Sequence, residues 1–477
     1  VRKDIEFQNR YLSRWLSELR RHLGNSGHSL YQRPWYLVLG AENSGKHTLF
    51  SANLSLLDLV PQDRIISEDG IGLHVRCSLT DKAVLLMPRG HLITQPHEDS
   101  EKPQLYHRLW NSLLERMVTE RTRQPLNGII LTIDTARLMT EDKEAGSRYF
   151  TDIHMRLQDI RLAFNTRPPV YIVLTKLDLL QGFSAMFQSL DVTEQESVLG
   201  VTFTRDNQHS WVSELTTFWE KWIRQLNAAL PEMMLNRVDD SQRSELFSFI
   251  RQMVGLQNKV TELTEQLIGS NDDDIPLIRG IYLTSSAQRG QIDDIFTQSA
   301  AVQYNLPPAP THTWPVSENQ TWFTGQLVRD VLFSEPNLAA ENRFWLRRHH
   351  HKVFFSSVAT AAGIIALWTG WHHYYDQNYQ AGKNVLSEVS AFSSVTADNQ
   401  QDTTGVRQLP ILNPLSEATL AYGNYREKNG LLTDLGLYQG KKIGPYVEKS
   451  YLQLLIERFL PAIMAGLQQD LAQAPEN

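Results

Sequence analysis

A single cysteine, Cys77, in 477 residues excludes an internal disulfide framework and suits a reducing compartment. The chain also lacks a strong excess of either charge. Its net charge is −7 and no basic domain stands out, so no nucleic-acid partner is expected. Nothing at the start reads as a signal peptide, because residues 1–23 are charged and amphipathic. The chain opens on valine, which reads as a fragment whose N-terminus lies upstream. No internal repeat is visible. Disorder is excluded as well: 41% hydrophobic and 21% charged residues are the proportions of a folded protein. The length suggests about three domains.

Two motifs carry the chemistry. The run Tyr36 to Leu39 leads into Gly40-Ala41-Glu42-Asn43-Ser44-Gly45-Lys46-His47. A strand entering G-x-x-x-x-G-K is how phosphate-binding loops turn backbone amides toward a nucleotide. Further on, the apolar run Val170 to Leu174 ends in Thr175-Lys176-Leu177-Asp178. In GTPases a strand ending this way presents a carboxylate to the guanine ring. Asp178 is expected to accept the ring N–H donors, Lys176 to lie along the ring, and the Ala287 amide, after Ser286, to meet the guanine carbonyl. Each motif is weak alone. Their order and their strand contexts point to phosphate-loop ancestry.

The metal-holding parts are missing. A working loop follows its lysine with a Ser or Thr whose hydroxyl holds Mg²⁺. Here His47 stands there, and Thr48 comes one residue late, rotated by roughly 100° on a helix. In the D-x-x-G position, Met87-Pro88-Arg89-Gly90 keeps the glycine and replaces the acid. His74 occupies the place of the switch threonine. Candidate nucleotide-binding residues are therefore Gly40, Asn43, Ser44, Gly45, Lys46, His47, Thr48, Thr175, Lys176, Asp178, Ser286 and Ala287, with no catalytic and no metal residue. No cofactor is required; GTP or ATP is an optional occupant, and Mg²⁺ is not expected to be held. Hydrolysis draws most of its rate from positioning and metal charge. Little is expected here.

Short strands near Tyr36–Leu39, Ala83–Met87, Ile129–Ile133, Val170–Leu174 and Ile281–Thr284 alternate with helical patterns, which implies a parallel sheet covered on both faces. Between Phe183 and Asp272 no strand pattern is convincing, and that stretch reads as helical. Val353 to Trp371 is the longest uncharged, mostly apolar run. As a helix its 19 residues reach ~28 Å, about one bilayer core. Arg343, Arg347, Arg348 and Lys352 precede it, while the other flank has no Lys or Arg until Lys383. The positive-inside rule then places residues 1–352 in the cytoplasm and about 372–477 outside.

The fold class expected is an α/β P-loop GTPase-like parallel-sheet domain with an inserted helical subdomain, one transmembrane helix and a mainly α-helical periplasmic segment. The divisions are an N-terminal amphipathic helix (1–30), the degenerate GTPase-like domain (31–182 plus 278–300) and the helical insert (183–277). A linker and pre-membrane helix (301–352), the membrane helix (353–371) and the outer segment (372–477) follow. Residues 302–320 are proline-rich.

Several blocks are similar to the IcmF/TssM family: Gly40 to Thr48, Pro125 to Gly128, Pro169 to Phe183, Arg279 to Gln288, Val331 to Ala339, and Leu435 to Gly440. The resemblance implies an inner-membrane subunit of the bacterial type VI secretion system. It implies a complex with the DotU-like protein TssL and the outer-membrane lipoprotein TssJ, contacts to cytoplasmic baseplate components, and homo-oligomers. Many members carry G-K-T or G-K-S and an intact D-T-A-G; this chain departs at His47 and at Met87 to Arg89. Three readings result: a structural scaffold in the inner membrane, a nucleotide-dependent switch that energises or gates secretion, and a membrane-tethered regulatory GTPase unrelated to secretion.

Overall fold

The computed structural model describes residues 2–24, 29–60, 73–95, 104–141, 143–204, 211–235, 240–268, 276–286, 320–396, 402–427 and 436–473. They fall into two units, Val1–His349 and His350–Asn477. In the first, a sheet is built from β1 (Trp35–Leu39), β2 (Val75–Leu79), β3 (Val84–Pro88), β4 (Gly128–Asp134), β5 (Pro169–Thr175), β6 (Gly200–Thr202) and β7 (Leu277–Leu283). The spatial order is β2-β3-β1-β4-β5-β7-β6. The inner pairings are parallel; β2 and β6, at the edges, run antiparallel to β3 and β7.

β1 and β5 are buried along their whole length, as apolar strands covered on both faces should be. Alternation divides their side chains between two cores. Leu37, Leu39, Ile129, Leu131, Ile172 and Leu174 enter the larger one, while Tyr36, Val38, Ile130, Tyr171 and Val173 enter the smaller.

The larger face is covered by α1 (Arg2–Leu23), α4 (Leu105–Glu120), α6 (Lys143–Phe164) and α10 (Asp240–Ile268). α1 buries Asp4, Gln8, Tyr11, Leu12, Trp15, Leu16 and Leu19, spaced for one helical face, and stops before Gly24, whose φ is +100°. α10 buries Leu246, Phe249, Met253, Leu256, Val260, Leu263 and Leu267, at intervals of three and four. It pairs with α9 (Trp211–Leu235), whose Trp219, Trp222 and Leu226 are buried against it. The core of this helical stretch is continuous with that of the sheet.

β6 lies inside the stretch read from sequence as strandless. Three residues, Gly-Val-Thr, are too short to show a period of two. β2, Val75-Arg76-Cys77-Ser78-Leu79, alternates apolar and polar residues as a strand does, a signal that the sequence reading passed over.

The smaller face is covered differently. α2 (Lys46–Ser51) supplies Leu49 and Phe50, and the rest comes from Leu327, Val328, Leu332 and Phe333 near the end of the unit. Residues 320–342 form a strap. Thr321–Trp322 pairs antiparallel with Ser285–Ser286. Asn127 Nδ2 donates to Pro336 O at 2.7 Å, Gln124 Nε2 to Ala339 O at 2.8 Å, and Arg279 pairs with Glu335 at 2.6 Å. The strap thus docks on Gln124 and Asn127 ahead of β4 and on Arg279 of β7. The proline-rich residues up to 319 lie outside the described residues.

In the second unit the described secondary-structure elements are helices, joined by turns. The helix Arg343–Ser394 carries the apolar run with its side chains exposed, and its segment Leu346–Ser394 is long and apolar enough to cross a membrane by length and composition. Helix Leu409–Leu420 packs on Gly440–Leu454, followed by a π-helical turn at Leu455–Phe459 and helix Leu460–Gln473.

Candidate functional site: a phosphate-type loop closed on itself

Both motifs sit at the carboxyl ends of parallel strands: the second follows β5, and the first follows β1, which has β3 on one side and β4 on the other. Such a reversal of strand order is where open α/β sheets place ligands. Gly40 follows β1, and a Cβ there would lie 2.3 Å from Thr132 Oγ1 and 2.4 Å from Ser44 Oγ. Only glycine fits. Those two hydroxyls bond to each other at 2.8 Å, and Thr132 Oγ1 donates to Leu39 O at 3.0 Å. Asn43 and Gly45 take φ of 58° and 79°, which turn the chain into α2.

Several of the loop's groups are bonded to other parts of the chain or to each other. Lys46 Nζ donates to Gly40 O at 2.6 Å and to Ala41 O at 2.9 Å. The Ala41 N–H donates to the Tyr149 hydroxyl at 2.9 Å, and the Ser44 N–H to Ala41 O at 3.3 Å. The Gly90 N–H donates to Glu42 Oε2 at 2.8 Å. Neither Tyr149 nor Glu42 was signalled by the sequence. Tyr149 comes from α6, and no local pattern ties it to the loop.

Burial pushes the Lys46 ammonium down to about 8, with Glu42 opposing. The unfolded chain, near 10.5, therefore binds more protons between about pH 8 and 10.5, and stability rises with pH across that window. Melting of Lys46→Met at pH 7.5 and 9.5 is expected to lose this part of the wild-type gain.

The metal side does not assemble. Met87 is buried in the smaller core with Leu49 and Phe50. His47 is exposed on α2; partial burial and the Arg76 charge lower its pKa, and Asp58 opposes them. Asp58 already bonds Arg76 at 2.6 Å and Ser78 Oγ at 2.8 Å. Thr48 gives its carbonyl to the Ala52 N–H inside α2. The His74 ring meets Tyr106, and the His74 backbone N–H donates to Gln8 Oε1 at 3.0 Å. Among the described residues no group of His, Cys, Asp and Glu could hold a metal ion.

At the base end, Thr175 Oγ1 donates to Ser44 O at 2.8 Å, which ties this motif to the loop. Lys176, at φ 61°, turns its ammonium to Asp134 at 2.8 Å, and both side chains are nearly buried. The lysine is thereby committed to β4. Asp178 Oδ1 accepts from Ser285 Oγ, the serine before the expected Ser286. Burial raises the Asp178 pKa, against the Ser285 hydrogen bond and the Lys176 charge. Ser286 is buried and pairs with Thr321; Ala287 lies outside the described residues. The structure brings Gly40, Ser44, Gly45, Lys46, Thr175 and Asp178 to one end of the sheet.

Residues 104–360 match the IcmF-related N-terminal domain family. Residues 409–477 match the IcmF-related family described as intracellular multiplication and human macrophage-killing. Type VI secretion system component TssM1 of Pseudomonas aeruginosa is 28% identical over 458 residues, 94% of this chain and 40% of that protein. The chain thus spans well under half of that relative. Two solved structures of SsGBP variants are 17% and 15% identical, with TM-scores of 0.18 and 0.20. They cover 31% and 56% of this chain, and 41% and 64% of their own. Likenesses that low carry no argument.

Proposed function

The chain belongs to the IcmF-related family, and we propose from that premise that it is a structural inner-membrane subunit of a type VI secretion complex. In this reading the sheet unit is a degenerate, GTPase-like domain that docks cytoplasmic partners, and the apolar helix anchors it. The partners proposed are TssL, TssJ, baseplate components and further copies of the chain. Residues 1–352 would face the cytoplasm and about 372–477 the periplasm, because Arg347, Arg348 and Lys352 flank one end of the apolar run.

One observation carries the scaffold reading. The loop that would cradle a nucleotide spends its lysine and the amides of Ala41 and Ser44 on the chain itself, and buried Met87 and exposed His47 stand where metal ligands would be. Phosphoryl transfer without those ligands loses its main source of charge stabilisation. A secretion assay of Lys46→Ala is expected to match wild type. Loss of secretion in a normally accumulated variant would favour the second reading, a nucleotide-driven switch. That alternative has one point in its favour: Asp178 Oδ2 is buried with no hydrogen-bond partner among the described residues, as a carboxylate waiting for ring N–H donors would be.

A further inference from the structure

The contact between Glu42 and Gly90 has a specific chemical meaning. Gly90 is the surviving glycine of the D-x-x-G position, two residues past the end of β3. Its backbone packs against Ala41 and Glu42 of the loop, which in a GTPase-type arrangement would be the end toward the last phosphate of a triphosphate. Its N–H is taken by Glu42 Oε2 at 2.8 Å, and His91 Nδ1 stands 3.7 Å from the same oxygen. Backbone packing independently closes the space. A Cβ on Gly90 would lie 2.2 Å from the Glu42 nitrogen and 2.7 Å from the Ala41 carbonyl carbon. A phosphate needs an amide donor and a gap between the two segments. Here a carboxylate holds the donor, and the segments touch.

We infer that Glu42 is a built-in substitute for the terminal phosphate of a nucleoside triphosphate, holding the loop in a self-liganded state that excludes that phosphate. The inference rests on reading Gly40–Lys46 as a phosphate-type loop. An ionised carboxylate accepting a backbone N–H forms one of the stronger hydrogen bonds, as a phosphate oxygen would. A triphosphate arriving at the loop must break that bond, separate Gly90 from Ala41 and Glu42, and bring its negative charge beside the carboxylate. A diphosphate, which does not reach Gly90, meets none of these costs.

The test uses the full chain in detergent micelles with base-labelled fluorescent GTP, GDP, ATP and ADP, in EDTA and in Mg²⁺. Glu42→Ala is expected to tighten triphosphate binding about tenfold or more, and Glu42→Gln by less, since its amide oxygen still accepts a hydrogen bond. Diphosphate affinity is expected to stay within about twofold. The gain should vanish in Glu42→Ala combined with Lys46→Ala. Equal triphosphate binding by wild type and by both Glu42 variants overturns the inference, and so does the case in which none of them binds. If Glu42→Ala fails to fold by circular dichroism, Glu42→Gln decides by the same comparison. The scaffold reading fails on a different readout, the secretion assay of Lys46→Ala, so the two failures are distinguishable.

Discussion

Phe333→Ala is expected to destabilise the sheet unit by about 3–5 kcal/mol, the range for deleting a buried phenylalanine side chain. Phe333 is buried, with its ring 4.9 Å from Tyr36 in an edge contact and 6.3 Å from Phe50. Tyr36 belongs to β1 and Phe50 to α2, so one ring from the strap braces the strand and the helix on either side of the phosphate-type loop. Removing it opens a cavity that Leu327, Val328 and Leu332 must fill while their own segment loosens. The melting temperature of the full chain should fall by roughly 10 °C, since each kcal/mol moves a domain of this size by a few degrees. Phe247→Ala is the control: Phe247 is 59% exposed, and its loss should change little. An unchanged melting temperature in Phe333→Ala would mean that the strap is only resting on the sheet.

Ile364→Arg is expected to release the chain from membranes. Ile364 lies near the middle of the apolar run Val353–Trp371, with its side chain exposed in a helix that has no protein cover there. Moving arginine to the centre of a membrane helix costs about 2.5–3.5 kcal/mol on insertion scales, besides the lost isoleucine contribution. A run of this length leaves little surplus. Alkaline extraction of membranes carrying the 477-residue chain should leave wild type in the pellet and move much of the variant to the supernatant. Equal retention would argue that the helix Arg343–Ser394 does not anchor the chain.

Much of the sheet was legible in the sequence. β1, β3, β4, β5 and β7 are the apolar runs that the residues themselves announce, and each ends where a motif or a turn begins. β2 and β6 were not read as strands. β6 has only three residues at an edge of the sheet, too few to show a period, whereas the alternation of Val75, Cys77 and Leu79 with Arg76 and Ser78 was a legible signal passed over for want of a continuous apolar run. The face covered by residues 327–333 was illegible for another reason. Leu327, Val328, Leu332 and Phe333 read as a pre-membrane segment, and only their contacts with Tyr36 and Phe50 make them core. In the site, Gly40, Gly45 and Lys46 were found because backbone geometry and charge restrict those positions to few residue types. Tyr149, Thr132, Asp134 and Ser285 were missed because they enter from separate elements and carry no spacing signal. Glu42 sat in the motif as a variable position. Its role depends on Gly90, a partner that local sequence does not provide.

We propose that the sheet unit is a nucleotide-type domain whose loop is tied to its own chain and that it serves as a structural part. The most direct measurement is turnover of labelled GTP and ATP by the purified full chain, with and without Mg²⁺, beside Lys46→Ala. No Mg²⁺-dependent product above that of the variant is expected. Turnover that requires Mg²⁺ and disappears in Lys46→Ala would contradict it.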